Sequence, residues 1–193
     1  RKIKNSDPCG ECFIKSKLVH NRCEYKMIGF ALGFLYGSFL EYVIHDFLFH
    51  RMGRKKGSIF AYHLRGHHVL ARKNNFVDLT ASRVELYGLF FLVAIHFPIF
   101  FISLGFWLGI TFYALCFKVL HGIQHKYPEF TKKYMVWHWE HHMKNSNKNF
   151  GVVVPWMDYL FNTRKKYDKW IKLFIFFIWQ LKCILLYYMY NWR

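Results

Sequence analysis

Met27-Ile28-Gly29-Phe30-Ala31-Leu32-Gly33-Phe34-Leu35-Tyr36-Gly37-Ser38-Phe39-Leu40 runs without a break into Glu41-Tyr42-Val43-Ile44-His45-Asp46-Phe47-Leu48-Phe49-His50. The first half is apolar, and the whole is long enough to cross a bilayer, whose hydrocarbon core takes about 20 helical residues. The second half carries ionisable side chains, which are costly in hydrocarbon and mark functional positions where they occur. The stretch therefore predicts a membrane helix that ends in a chemically equipped segment.

Two further apolar stretches follow. Leu86 to Phe117 holds 32 residues without Lys, Arg, Asp or Glu. One straight helix of that length would measure about 48 Å, too long for a core of about 30 Å. Two helices of about 16 residues, at the short edge of a span, fit better. Their junction is expected near Ser103 to Gly105, with Pro98 kinking the first. The pair either crosses or forms an incompletely crossing hairpin. Leu173 to Tyr190 is rich in Phe, Ile, Leu and Tyr but has Lys182 at its middle. A central Lys costs roughly 2.5–3.5 kcal/mol, which the apolar neighbours offset. That segment is either a span or an interfacial helix.

The 193 residues suit one domain with short appendages. Lys and Arg number 28 against 11 Asp and Glu, a net charge of +17, yet 54% of the chain is hydrophobic and 22% aromatic. A disordered basic tail would lack the aromatics, and a basic nucleic-acid module rarely carries 22 Phe. No nucleic-acid partner is expected. Nineteen of the 28 basic residues lie in Arg51 to Arg83 and Lys118 to Lys172. A hairpin between these segments returns the chain to its starting side, so both lie on one face, which the positive-inside rule makes cytoplasmic. The membrane would be the endoplasmic reticulum in a eukaryote or the inner membrane in a bacterium. If Met27 to Leu40 crosses once, Lys15, Lys17, Arg22 and Lys26 fall outside. Either that segment re-enters, or an upstream helix is absent from this chain. The run Arg164-Lys165-Lys166 suits anionic headgroups, at about 1 kcal/mol per basic residue.

The domain reading is a polar leader over 1–26, a central unit over 27–166 with membrane segments at about 27–49 and 86–117, and a C-terminal apolar and basic helix over 167–193. The leader has no apolar core of signal-peptide length. Five cysteines at irregular spacing do not form a disulfide framework. Cys9, Cys12, His20 and Cys23 either chelate zinc or are fortuitous. The fortuitous reading is preferred, because the spacing matches no known finger.

Ten of the twelve His fall in four clusters: His45-x4-His50, His63-x3-His67-His68, His121-x3-His125 and His138-x2-His141-His142. Residues three or four apart share a helix face. His138, His141 and His142 therefore point together, as do His121 with His125 and His63 with His67. His45 and His50 are five steps of about 100° apart, so they either straddle the site or sit on a distorted helix. Glu41 lies four residues before His45, and Asp46 four before His50, so each carboxylate is a candidate to hold an imidazole by its second nitrogen. Buried imidazoles crowded together without a metal would be unstable, because protonated neighbours repel. Imidazole suits Fe, Zn, Cu and Ni alike. Metal buffers use short His tracts rather than dispersed boxes. No His-Glu-x-x-His protease motif occurs. His96 stands alone in the apolar stretch and reads as a packing residue.

These boxes resemble the fatty acid hydroxylase and sterol desaturase superfamily of membrane di-iron oxygenases, closest to its fatty-acid 2-hydroxylase-like members. Glu41 to His50 is similar to the family's first box. His138-Trp139-Glu140-His141-His142, Asn149-Phe150-Gly151-Val152 and Trp156-Met157-Asp158-Tyr159-Leu160-Phe161-Asn162-Thr163 are similar to its C-terminal signature. The order of two boxes, a membrane hairpin and two further boxes is also similar. The resemblance implies an all-α integral membrane bundle with a cytoplasmic helical cap carrying the metal site. It implies two Fe ions held among His45, His50, His63, His67, His68, His121, His125, His138, His141 and His142, with Zn able to replace them in purified protein and O2 as co-substrate. The implied activity is hydroxylation of a fatty acyl chain. Sterol desaturation, carotenoid hydroxylation and, outside enzymes, simple metal binding are the alternatives. No cytochrome b5-like domain is present, so electrons are expected from a separate donor such as cytochrome b5 or ferredoxin. The second box has three residues between its first two His where the 2-hydroxylase branch has two. Asp158 either orients a ligand or braces the fold. Tyr42, Phe47, Phe49, Trp137 and Trp139 are candidates for the wall of a lipid pocket, and ordinary packing explains them as well.

Overall fold

The computed structural model describes residues 8–80 and 82–165, with side chains placed for 24–80 and 85–165. The C-terminal segment from Leu173 to Tyr190 and the side chains of Cys9, Cys12, His20 and Cys23 lie outside the described residues. All regular structure among the described residues is helical. Helix α1 runs over Pro8–Val43, so the polar leader and the apolar stretch share one helix. It continues without a turn as a π-helical segment, Ile44–Arg51. After a short 3₁₀ turn and a loop, a second π-helical segment, His63–His67, passes directly into α2, His68–Lys73.

The apolar hairpin is asymmetric. Helix α3 covers Ser82–Ile95, and Pro98 opens the one-turn helix α4, Ile99–Ile102. The chain then reverses at Ser103, whose Oγ accepts from the Phe106 amide at 3.3 Å and caps α5, Leu104–Lys126. The junction falls where the sequence predicts it. The second helix is longer than expected, at 23 residues or about 35 Å, because it carries on through Lys118 and both histidines of the third box. Helix α3 has only 14 residues, about 21 Å, and falls short of a span. Among the described residues, two segments are long and apolar enough to cross a membrane, Glu24–Arg54 and Leu104–Lys126.

Those two segments pack on each other along a seam of small residues. Gly29, Gly33 and Gly37 recur every four residues on α1; Gly29 meets Gly105, Gly33 meets Gly109, and Gly37 meets the Tyr113 side chain on α5. A Cβ at Gly33 would collide with the Phe106 carbonyl, and one at Gly109 with the Phe30 carbonyl. In lipid there is no hydrophobic gain from joining two apolar helices, so close backbone approach and van der Waals contact supply the attraction. Aromatic rings flank the seam: Phe34 meets Tyr113 edge-on at 4.9 Å, and Phe30 meets Phe112 at 5.6 Å. The outer faces are apolar as well, with Phe90 74% and Ile102 85% exposed, as suits contact with lipid.

Beyond the seam, a polar-ended cap covers the helix ends. Pro128 opens α6, Pro128–Tyr134, where its missing N–H costs nothing. Thr131 Oγ1 donates to the Gln124 carbonyl at 2.7 Å, tying α6 to the end of α5. Helix α7, Val136–Met143, and the short α8, Trp156–Leu160, complete the cap.

Candidate metal centre

The first two histidine boxes begin on π-helical segments, and the last two lie on α-helices. In the first π-helical segment the hydrogen bond spans five residues rather than four. His45 and His50 are therefore one hydrogen-bond step apart, on one face, with ring centroids 5.0 Å apart. The distorted-helix alternative is the one realised. The third box sits on the last turns of α5 and the fourth on α7.

The ten rings assemble into two adjoining groups. His45, His50, His63, His68 and His141 each offer a nitrogen within 4.8 Å of the others, and so do His67, His121, His125 and His142. His138 joins the second group, its Nε2 3.2 Å from that of His125. All are buried except His63, which is partly open to a cavity. Each consecutive pair is divided between the groups: His68 and His141 serve the first, His67 and His142 the second. Neighbouring helical residues point about 100° apart, so a His-His doublet at the boundary reaches both sides.

Hydrogen bonding fixes which nitrogen is free. The Nδ1 of His45 bonds the Phe150 carbonyl at 2.5 Å, that of His141 the Lys148 carbonyl at 2.7 Å, and that of His125 the Phe76 carbonyl at 2.8 Å. His67 Nδ1 bonds Asp78 at 2.7 Å, and His121 Nδ1 bonds Glu85 at 2.5 Å. Carbonyl and carboxylate oxygens only accept, so each of these Nδ1 atoms donates and each neutral ring turns a lone pair outward at Nε2. Nε2 contacts join His45 to His63 at 3.0 Å and His50 to His141 at 3.1 Å. In the His121–His125 pair, at 3.1 Å, both rings are so fixed and both Nε2 atoms present lone pairs. Facing lone pairs repel, and a cation between them removes the conflict. Protonation is the weaker remedy, because burial pushes His63, His138, His141 and His142 well below the ordinary imidazole value. In addition, Nδ1 of His50, His68 and His138 and both ring nitrogens of His142 are buried without a hydrogen-bond partner. An unsatisfied buried polar group costs about 1–3 kcal/mol. The donor set fits a metal ion in each group.

The carboxylates differ from those expected by spacing. Glu41 accepts from the Tyr113 hydroxyl and the Val152 amide, not from His45. Asp46 pairs with the Arg51 guanidinium at 2.5 Å, not with His50. The π-helical winding turns Asp46 away from the ring four residues on, and Glu41, near the end of α1, is taken up by Tyr113 and Val152. Asp158 braces a loop: it accepts from the amides of Phe150 at 2.8 Å and Gly151 at 2.7 Å, and from Thr163 Oγ1 at 2.7 Å. That loop presents the Phe150 carbonyl to His45, so Asp158 orients a ring through the backbone. The carboxylates on the rings, Asp78 and Glu85, were not singled out by spacing. Asp78 begins an Asp-x-Thr turn, accepting from Thr80 N at 2.8 Å, and Glu85 directly precedes the uncharged stretch. Those were their only signals. Phe76 is a further addition, fully buried and stacked on His125 at 4.4 Å from a left-handed backbone conformation, φ +80°.

Both groups face one cavity of about 340 Å³, reached by His45 and His63 from the first and by His67 and His121 from the second. Ile44, Leu89, Leu92, Ile110 and Phe117 make most of its wall apolar, and Ile59, Tyr62 and Gly88 form the exposed rim. Of the aromatic candidates, Phe49 lies on this wall. Tyr42 stacks on Phe161 at 4.7 Å, Phe47 is half-exposed, and Trp137 is buried in the cap. Trp139 lies under the ammonium groups of Lys132 and Lys144.

The site and the fold define a helical, membrane-associated protein with two histidine groups able to hold metal. The fatty acid hydroxylase family model matches residues 30–163, more than half of the chain, and the protein belongs to that family. Membership suggests an oxidoreductase of the membrane hydroxylase and desaturase kind. No curated protein and no solved structure matches the chain.

Proposed function

We propose that this protein is an integral-membrane di-iron oxygenase that hydroxylates a lipid acyl chain, in the manner of the 2-hydroxylase-like members of the family. The observation that carries the reading is the pair of buried imidazole groups opening onto one apolar cavity. Iron bound there would supply activation of O2, which an unactivated C–H bond requires and acid–base groups cannot provide. One oxygen atom enters the C–H bond and the other leaves as water, with two electrons from a separate protein donor and two protons from solvent. The chain's own residues prepare the site. The carbonyls of Phe150, Lys148 and Phe76 hold three rings in one tautomer with Nε2 turned to the centre. Leu89, Leu92, Ile110 and Phe117 exclude water and hold an extended hydrocarbon. The basic face suits an acidic carrier such as cytochrome b5 or ferredoxin, and lies on the cytoplasmic side.

Lipid extracts from cells with and without the gene test the reading. The expected result is 2-hydroxy acyl chains only where the gene is present. Unchanged acyl chains with altered sterols would move the assignment to a sterol desaturase. Purified protein is expected to hold about two irons per chain, one for each imidazole set. His141→Ala is expected to abolish turnover and leave membrane insertion intact; full activity in that variant refutes the site.

A further inference from the structure

The two histidine groups sit in different electrostatic settings. In the first, the partners of Nδ1 are backbone carbonyls, those of Phe150 and Lys148, and no carboxylate bonds a ring among the described residues. In the second group two rings are backed by carboxylates. Asp78 bonds His67 with both side chains almost fully buried, at 2% and 1% exposure, and Glu85 bonds His121 from the adjoining helix α3. Each carboxylate is itself held. Asp78 receives the Thr80 amide and hydroxyl, and Glu85 receives the Lys118 ammonium at 3.4 Å.

A carboxylate accepting from Nδ1 draws the proton toward itself and raises the electron density at Nε2, so the ring becomes a stronger donor. A backbone carbonyl does this more weakly, because it carries a partial rather than a full charge. The buried Asp78 and the partly exposed Glu85 also favour a cation directly.

Resting on the di-metal reading above, we infer that the two centres are inequivalent: Asp78 and Glu85 act as positioning residues that make the His67, His121, His125, His138 and His142 group the tighter, more electron-rich site. The other group is the weaker centre and the first to lose its metal.

The test uses the full chain in detergent, loaded with Zn²⁺ alone and challenged with a chelator. Two metals per chain are expected to leave in two separate steps. Glu85→Gln and Asp78→Asn keep an acceptor for the ring but lose the charge. Each is expected to weaken the late-released metal about ten- to hundred-fold and leave the early one unchanged. Asp78 also caps a turn, so Glu85→Gln is the cleaner of the two. A second readout is the Mössbauer spectrum of protein loaded with iron-57, in which one of two signals moves in the variants and the other stays. A merely structural role would not move one signal alone. Release in a single step, an equal shift of both steps, or no shift in either overturns the inequivalence. A wild-type chain that takes up no metal overturns the di-metal reading itself.

Discussion

Gly88 sits on the cavity rim with nothing within 4 Å of where a side chain would begin. Its smallness is not demanded by packing, so it is free to govern access. Gly88→Leu is expected to stabilise exposed helix α3 by about 1 kcal/mol, the helix-propensity difference. It is also expected to lower kcat/KM for long acyl substrates by about tenfold or more, the scale of one methylene group in an apolar pocket. Iron content should not change, and loss of iron would show that the substitution acts on the centre rather than on the portal. The ten ligand candidates were legible in the sequence because a helix face needs no knowledge of the rest of the chain. Their partners were not. Asp78 lies eleven residues beyond His67, and Glu85 reaches His121 from another helix, so only the assembled structure joins them. Spacing pointed instead to Glu41 and Asp46, on the assumption of an ordinary α-helix where the chain is π-wound.

The glycine seam is the element that holds α1 to α5. Gly33→Val places two methyl groups against the Phe106 backbone, which has no rotamer to yield. Overpacking of this kind costs about 1–3 kcal/mol, and backbone contact puts this site at the upper end. A clear fall in melting temperature in detergent is the expected result, with Gly122→Ala, made where space is open, showing none. An unchanged Gly33→Val melt would mean that the seam does not carry the association. The apolar stretches and the turn at Ser103 were readable from hydropathy and Pro98 alone. The true length of α5 was not, because the charge at Lys118 reads as the end of the apolar stretch, whereas the same helix continues through the buried His121 and His125.

Across the whole molecule, basic charge and oily surface are segregated. The apolar faces of α3 and α4 leave Phe90, Phe91, Phe101 and Ile102 uncovered, and the cap holds Lys132, Lys133, Lys144 and Lys148. The proposed topology, with the cap on the cytoplasmic side, follows the positive-inside rule. Asn147→Cys, in the exposed turn after α7, is therefore expected to react with a membrane-impermeant thiol reagent only from the cytosolic side of sealed vesicles. Labelling from the opposite side would invert the topology. The division of His67-His68 and His141-His142 between the two centres has a consequence for assembly. A single peptide bond joins a ligand of one centre to a ligand of the other, in two places. A one-residue slip of α7 would displace a ligand of each centre at once. The backbone scaffold is thus shared, while each metal is held and released on its own terms.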